Sequence, residues 1–285
     1  MTVLRGSALA ITLLATACVV DETSVASQAI IAGQTSDRGE FPATGMVMIA
    51  DTLICTATLI TPDVALTAAH CLATPRFGSY GFTLDTNSDD GTDEIVPASV
   101  WHRHPGFDGS AEDFVDLAVR NDIGVLLLDR PIVGVTPEKI ALPTDGDLVP
   151  SGSELSVVGY GRVVWYTGSV ALKRDGEVFV DRTGSNEFST TAVDPQPCNG
   201  DSGGPLFAQT PKGRRLVGVV SRALGRSQMC DTGAIITRVT PYSEWINLAS
   251  HDHNTGGCSA GGGGAALPFG LLGLAAVRRR RREAR

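Results

Sequence analysis

Residues 200–205 read Gly-Asp-Ser-Gly-Gly-Pro. Three glycines around one serine allow a tight turn that leaves backbone N–H groups free and the hydroxyl uncrowded. Taken alone, such a stretch describes a flexible turn equally well, so its surroundings decide. It stands among short apolar runs rich in β-branched residues: 44–49, 53–60, 123–128, 155–158, 216–220 and 234–239. Many of these are bounded by Gly, Pro, Asp or Asn, as strands are. A helical period emerges only at 241–250 (PYSEWINLAS), where Tyr242, Trp245, Ile246 and Ala249 share one face behind a proline. Strands at short spacing with one terminal helix predict an antiparallel all-β domain of barrel or sandwich type.

Across all 285 residues, 42% are hydrophobic and 19% charged, enough apolar chain for a sizeable core and too much for disorder. The net charge is −8, and six Arg with one Glu crowd into 278–285, leaving the rest at −13. So acidic a body argues against nucleic-acid binding, which needs basic surface.

The two ends set the compartment. Residues 1–17 have the form of an export signal: Arg5, an apolar run from Ala8, then Ala15-Thr16-Ala17 for cleavage. Cys18 follows directly, so the run also resembles a lipobox whose cysteine is lipidated, although Ala15 stands where Leu is favoured. At the other end, Cys258, the uncharged residues 260–277 and the arginines 278–282 follow in that order. This resembles the MYXO-CTERM sorting tails, and an ordinary membrane anchor predicts nearly the same location. Four cysteines remain, Cys55, Cys71, Cys198 and Cys230. An even number in an exported domain predicts disulfides, with three pairings open.

A serine hydroxyl is a weak nucleophile until a base takes its proton. Thr67-Ala68-Ala69-His70-Cys71 supplies an imidazole after an apolar strand, and Asn121-Asp122 supplies a carboxylate at the head of another. There Asp122 is partly buried and must be hydrogen-bonded. Asp113 and Asp116 lie in a polar stretch and read as solvated loop acids. The acidic run 85–94 fails the EF-hand pattern, since Gly91 comes one place late and no Glu closes it; it too reads as a solvated loop. No metal or cofactor is expected.

TAAHC (67–71), NDIGVLLL (121–128) and GDSGGP (200–205), in that order, resemble the trypsin/chymotrypsin (S1) serine peptidases. The same holds for IIAG (30–33), Glu40-Phe41-Pro42, CTATLI (55–60), HPGF (104–107), VGYG (158–161) and TRV (237–239) ahead of Tyr242, Trp245 and Ile246. The resemblance runs from residue 30 to about 248.

It implies two six-stranded antiparallel barrels, about 30–130 and 131–255, between a propeptide or lipoprotein linker at 18–29 and a sorting tail at 256–285. It implies Ser202 as nucleophile, His70 as base, Asp122 as its orienting carboxylate, and an oxyanion hole from the N–H groups of Gly200 and Ser202. It pairs Cys55 with Cys71 and Cys198 with Cys230. It also implies cleavage between Ala29 and Ile30, after which the new Ile30 ammonium pairs with Asp201. Gln28-Ala29 is no trypsin site, so an autocatalytic or foreign protease of small-residue preference is expected to cut there.

The substrate pocket would hold Gln196 at its base, with Ser221, Arg222, Ala223, Gly233 and Ala234 along its walls. Trypsin-like members carry Asp where Gln196 stands, so an uncharged residue before the scissile bond is expected, and Arg222 is expected to alter a neighbouring subsite. A monomeric, exported or surface-held endopeptidase acting on proteins or peptides, with membrane contact through either terminus, is the first reading. A silent binding protein on the same scaffold, or a hydrolase of other esters or amides, are the alternatives.

Overall fold

The computed structural model describes residues 30, 32–37, 39–49, 52–73, 79–87, 93–109, 116–161, 172–193, 195–225 and 230–254. The expected signal, the 18–29 segment, Cys18, Cys258 and the sorting tail lie outside the described residues, as does Asp113. No helix among the described residues is long and apolar enough to cross a membrane.

Two antiparallel sheets carry the architecture. The first contains β2 (Thr44–Ile49), β3 (Thr52–Thr61), β4 (Val64–Thr67), β5 (Tyr80–Thr83), β6 (Val96–Ala98), β7 (Val100–Arg103) and β8 (Gly124–Leu127). Their order is β6-β5-β2-β3-β4-β8-β7. Only Ser99 separates β6 from β7, so one stretch of chain pairs with β5 at one edge and β8 at the other, curling the sheet shut. The second contains β1 (Gln34–Thr35), β9 (Glu154–Gly159), β10 (Arg174–Thr183), β11 (Glu187–Thr190), β12 (Pro205–Ala208), β13 (Arg215–Ala223) and β14 (Ala234–Arg238). Six of these close a ring, since β10 pairs with both β11 and β9, and β12 joins β9 to β13. β1 is an extra strand laid on β10, reaching the second barrel although it precedes the first in sequence. Each seven-stranded sheet is thus a six-stranded barrel, one with a broken strand and one with an added one.

Many strands are buried on both faces, with consecutive buried residues along β2, β4, β8 and β12, which is why they read as near-continuous hydrophobic runs. Leu59, Leu66, Phe82 and Val125 are buried in the first barrel; Val157, Phe188, Leu206 and Ile236 are buried in the second. The barrels meet through Phe41 and Phe207, stacked 5.6 Å apart with the Arg214 guanidinium 4.7 Å from each ring centre.

The expected helix at 241–250 divides into a 3₁₀ turn, Thr240–Tyr242, and α1, Ser243–Ala249. Tyr242, Ile246 and Ala249 are buried against the first barrel, so the last element among the described residues ties the second barrel back to the first.

Candidate active site

β4 and β8 are neighbours in register, Thr67 opposite Gly124, which brings the residues just beyond each strand together. His70 lies in the 3₁₀ turn Ala69–Leu72 after β4, beside buried Ala68 and Ala69, where any larger side chain would meet the core. Asp122 precedes β8 and is buried. His70 N–H donates to Asp122 Oδ1 at 2.9 Å, and His70 Nδ1 lies 2.8 Å from Asp122 Oδ2. One carboxylate therefore fixes both the backbone and the ring of the histidine. The His70 side chain keeps 37% of its surface exposed, and its Nε2 lies 3.7 Å from Cys71 Sγ.

Ser221 supplies the next contact. β13 has a bulge between Val220 and Arg222, which takes Ser221 out of the ladder and turns its side chain toward the first barrel. Ser221 Oγ donates to Asp122 Oδ2 at 2.6 Å. Burial is the largest single influence on Asp122 and by itself raises its pKa. The hydrogen bonds and charge of His70, with the Ser221 hydroxyl, together outweigh it and hold the carboxyl below its ordinary value.

The Ser202 turn docks on the same corner. The Ser202 carbonyl accepts Thr56 N–H at 2.8 Å, and Thr56 Oγ1 donates to the Gly200 carbonyl at 3.1 Å. Thr56 adjoins Cys55, which is bonded to Cys71, the residue after His70. Gly203 sits at φ 81° with its Cα facing Thr67 Oγ1 and the Thr56 carbonyl, so a Cβ there would collide with both. Only glycine lets the turn approach the strand that leads into His70. Within the turn, Asp201, Gly203 and Gly204 each use their N–H on a carbonyl. Among the described residues, the N–H groups of Gly200 and Ser202 make no such bond.

Asp201 is fully buried. Its Oδ2 accepts Cys198 N–H at 2.8 Å and lies 3.3 Å from the Ile30 nitrogen, while Oδ1 accepts Gly161 N–H at 2.7 Å. Glycine is needed at 159 too, because a Cβ there would run into the Asp201 carboxylate. Burial pushes the Asp201 carboxyl up to about 6 against these three donors.

The second disulfide joins Cys198 to Cys230, so both pairings are those the resemblance implies. Gln196, two residues before Cys198, is buried; its Nε2 donates to the Thr191 carbonyl at 2.7 Å and also to the Val193 carbonyl. With the nitrogen so committed, the Oε1 atom is left without a partner among the described residues. Ala223 and Ala234 are cross-strand partners, and Leu224 N–H binds the Gly233 carbonyl at 2.9 Å.

Arg222 is buried against Glu187, a residue that nothing in its local sequence singles out: one glutamate opening a short strand looks like any solvated edge. Asp85 was likewise expected in solvent, but it is buried and accepts Asp93 N–H at 2.8 Å. His102 and His104 are tied into the fold, the former 2.7 Å from the Asp252 carbonyl and the latter edge-on to Tyr242 and Trp245. Cys55, His70 and Cys71 cluster closely, but the two sulfurs are bonded to each other, so they form no metal-ligand set.

Residues 30–246 match the family model described as Trypsin. The chain belongs to the trypsin family. It is 33% identical over 215 residues to chymotrypsin-C of Bos taurus, covering 68% of this chain and 76% of that one. It is 28% identical to the vitellin-degrading protease of Bombyx mori, covering 76% and 84% respectively. Among solved structures, neuropsin, a serine protease expressed in mouse brain, superposes with a TM-score of 0.61 at 20% identity, covering 76% of this chain and 98% of its own. That last likeness bears on the fold. The family and its relatives make the chain a serine-type endopeptidase, a hydrolase of peptide bonds held by disulfides.

Proposed function

We propose that the chain is an exported serine endopeptidase using Ser202, His70 and Asp122, with a preference for uncharged side chains before the scissile bond. One observation carries the reading: the Asp122 carboxylate accepts from His70 twice and from Ser221 once, beside the turn that bears Ser202. With Nδ1 held by Asp122, the remaining ring nitrogen is the basic one. It takes the Ser202 hydroxyl proton as the oxygen attacks the carbonyl carbon, and it returns that proton to the departing amine. The resulting acyl-enzyme is then hydrolysed by water in the same two steps. The free N–H groups of Gly200 and Ser202 suit the oxyanion, a role worth about 2.7–4 kcal/mol of barrier per donor.

Pairing of β13 with β12 stops at Val219, which leaves 221–223 as an edge on which an extended substrate could add as a further strand. Gln196 supports the preference for uncharged residues. It brings no carboxylate to its buried site, so a cationic side chain would lose its hydration without a counter-charge. Two disulfides fit an oxidising compartment, hence export. In the same reading 1–17 is removed, 18–29 is a propeptide or lipoprotein linker, 30–255 is the working monomeric domain, and 256–285 sorts it to the envelope.

A panel of peptides varied only at the residue before the cleaved bond tests this. Cleavage is expected to be strongest after uncharged residues, with kcat/KM lower by roughly tenfold or more for Arg and Lys. Best cleavage after Arg would contradict the specificity, and failure to cut any member would contradict peptide hydrolysis itself.

A further inference from the structure

A buried ion pair stands two hydrogen bonds from Asp122, and the mechanism above makes no use of it. The Arg222 guanidinium meets the Glu187 carboxylate with both prongs, Nη1 to Oε1 at 2.7 Å and Nη2 to Oε2 at 2.9 Å. The side chains are 6% and 1% exposed, so both charges have left water. Glu187 Oε2 also accepts the N–H of Ala118 at 2.8 Å, and Arg222 Nη2 reaches the Asp116 carbonyl at 3.4 Å. Residues 116–118 lead directly to Asp122 in the first barrel, whereas Glu187 and Arg222 belong to β11 and β13 of the second. Arg222 Nη1 further lies 3.4 Å from Ser221 Oγ, the hydroxyl that donates to Asp122.

An apolar pair of similar volume would hold the same strands without the desolvation cost, so stability alone does not account for two buried charges. Position does. A donor on Ser221 Oγ occupies a lone pair of that hydroxyl and favours its proton pointing to Asp122. Alone, however, a buried cation so near would weaken the hold of Asp122 on a protonated histidine. Glu187 cancels it.

We propose that Arg222 and Glu187 are positioning residues for Asp122: a neutral clamp that orients the Ser221 hydroxyl, pins the segment leading to Asp122, and shields the His70–Asp122 pair from the guanidinium charge. This rests on the reading of His70 and Asp122 as base and orienting carboxylate. Among the described residues, polar groups beside the cluster include the Tyr242 hydroxyl, bonded to Asn121 Oδ1 at 2.9 Å and Asn186 Nδ2 at 2.8 Å, and Asp116, whose carboxylate turns to Arg182 at 3.5 Å.

The test is a cycle of Glu187→Gln, Arg222→Met and the double variant, read through the pH midpoint at which the His70 ring titrates by NMR, assigned with His70→Gln. The same midpoint is read from the acid limb of kcat/KM. Glu187→Gln leaves an uncompensated cation and should move the midpoint to lower pH by about half a unit or more. Arg222→Met leaves a carboxylate, still bonded to Ala118 N–H, and should move it upward. The double variant should return near the starting value.

Both single variants leaving the midpoint in place, or moving it the same way, would overturn the proposal, as would a double variant displaced further than either. If one single variant does not fold, the direction of the other against the double variant still decides. The NMR reading needs no turnover. An enzyme that fails to hydrolyse peptides would therefore refute the peptidase reading separately, leaving the clamp to be judged on its own.

Discussion

Ser202→Ala or His70→Ala should each lower kcat by about a million-fold, and Asp122→Asn by about ten thousand-fold, with the protein still folded. The first two remove the proposed nucleophile or its proposed base outright, and the double variant should cost little more than either, because such groups act as one unit. Asp122→Asn has a different cause. The carboxylate takes three hydrogens, from His70 N–H, His70 Nδ1–H and Ser221 Oγ–H. An asparagine has one oxygen and an NH₂ in their place, so at least one donor faces another donor. The imidazole relieves this by moving its proton to the outer nitrogen, which is then unable to accept from serine. Steady-state kinetics beside a urea titration of each variant checks this, and a loss of activity that merely follows loss of fold would not count.

The second large effect concerns the proposed cut after Ala29. In the intact chain the Ile30 nitrogen is a neutral amide, and Asp201 is a buried carboxyl with a pKa of about 6. A folded state that binds this proton more tightly than the unfolded chain loses stability as pH rises from the ordinary carboxylate range to about 6. Cleavage turns the amide into an ammonium 3.3 Å from Asp201 Oδ2, so the carboxylate gains a counter-charge and that loss should disappear.

Urea midpoints of cut and uncut protein, compared in the Ser202→Ala background to prevent self-digestion, should lie close together near pH 4.5 and diverge by pH 7. Parallel curves would contradict the account. Because Asp201 sits between Gly200 and Ser202, its pairing should also set the turn that carries the proposed oxyanion donors. Asp201→Asn in the cut enzyme should therefore cost about a hundredfold or more in kcat.

How much of this could be read in the chain follows from where the information is local. The turn at Ser202, the small residues ahead of His70 and the apolar strand behind Asp122 are each written in a few consecutive letters, and the structure brings all three to one corner. Short β-branched runs bounded by turn residues likewise predict an antiparallel all-β domain of barrel or sandwich type, whereas the two six-stranded barrels follow only from the family resemblance.

What stayed hidden depends on partners far apart in sequence. Glu187 acquires meaning only through Arg222, 35 residues away, and Ala118, 69 residues away. Ser221 could be assigned to a pocket wall by resemblance, but its bond to Asp122 depends on a bulge that no letter announces. Gln34 and Thr35 carry no sign that they pair with β10, about 140 residues downstream. Asp85 reads in sequence like Asp93 and Glu94 and differs from them in being buried.

The most direct test of the central claim is covalent. The cut protein treated with a fluorophosphonate should give a single phosphonylated peptide with the adduct on Ser202, at a rate that collapses in His70→Ala and vanishes in Ser202→Ala. Labelling that persists in Ser202→Ala, or a folded and cut wild-type protein that takes no label, would contradict it.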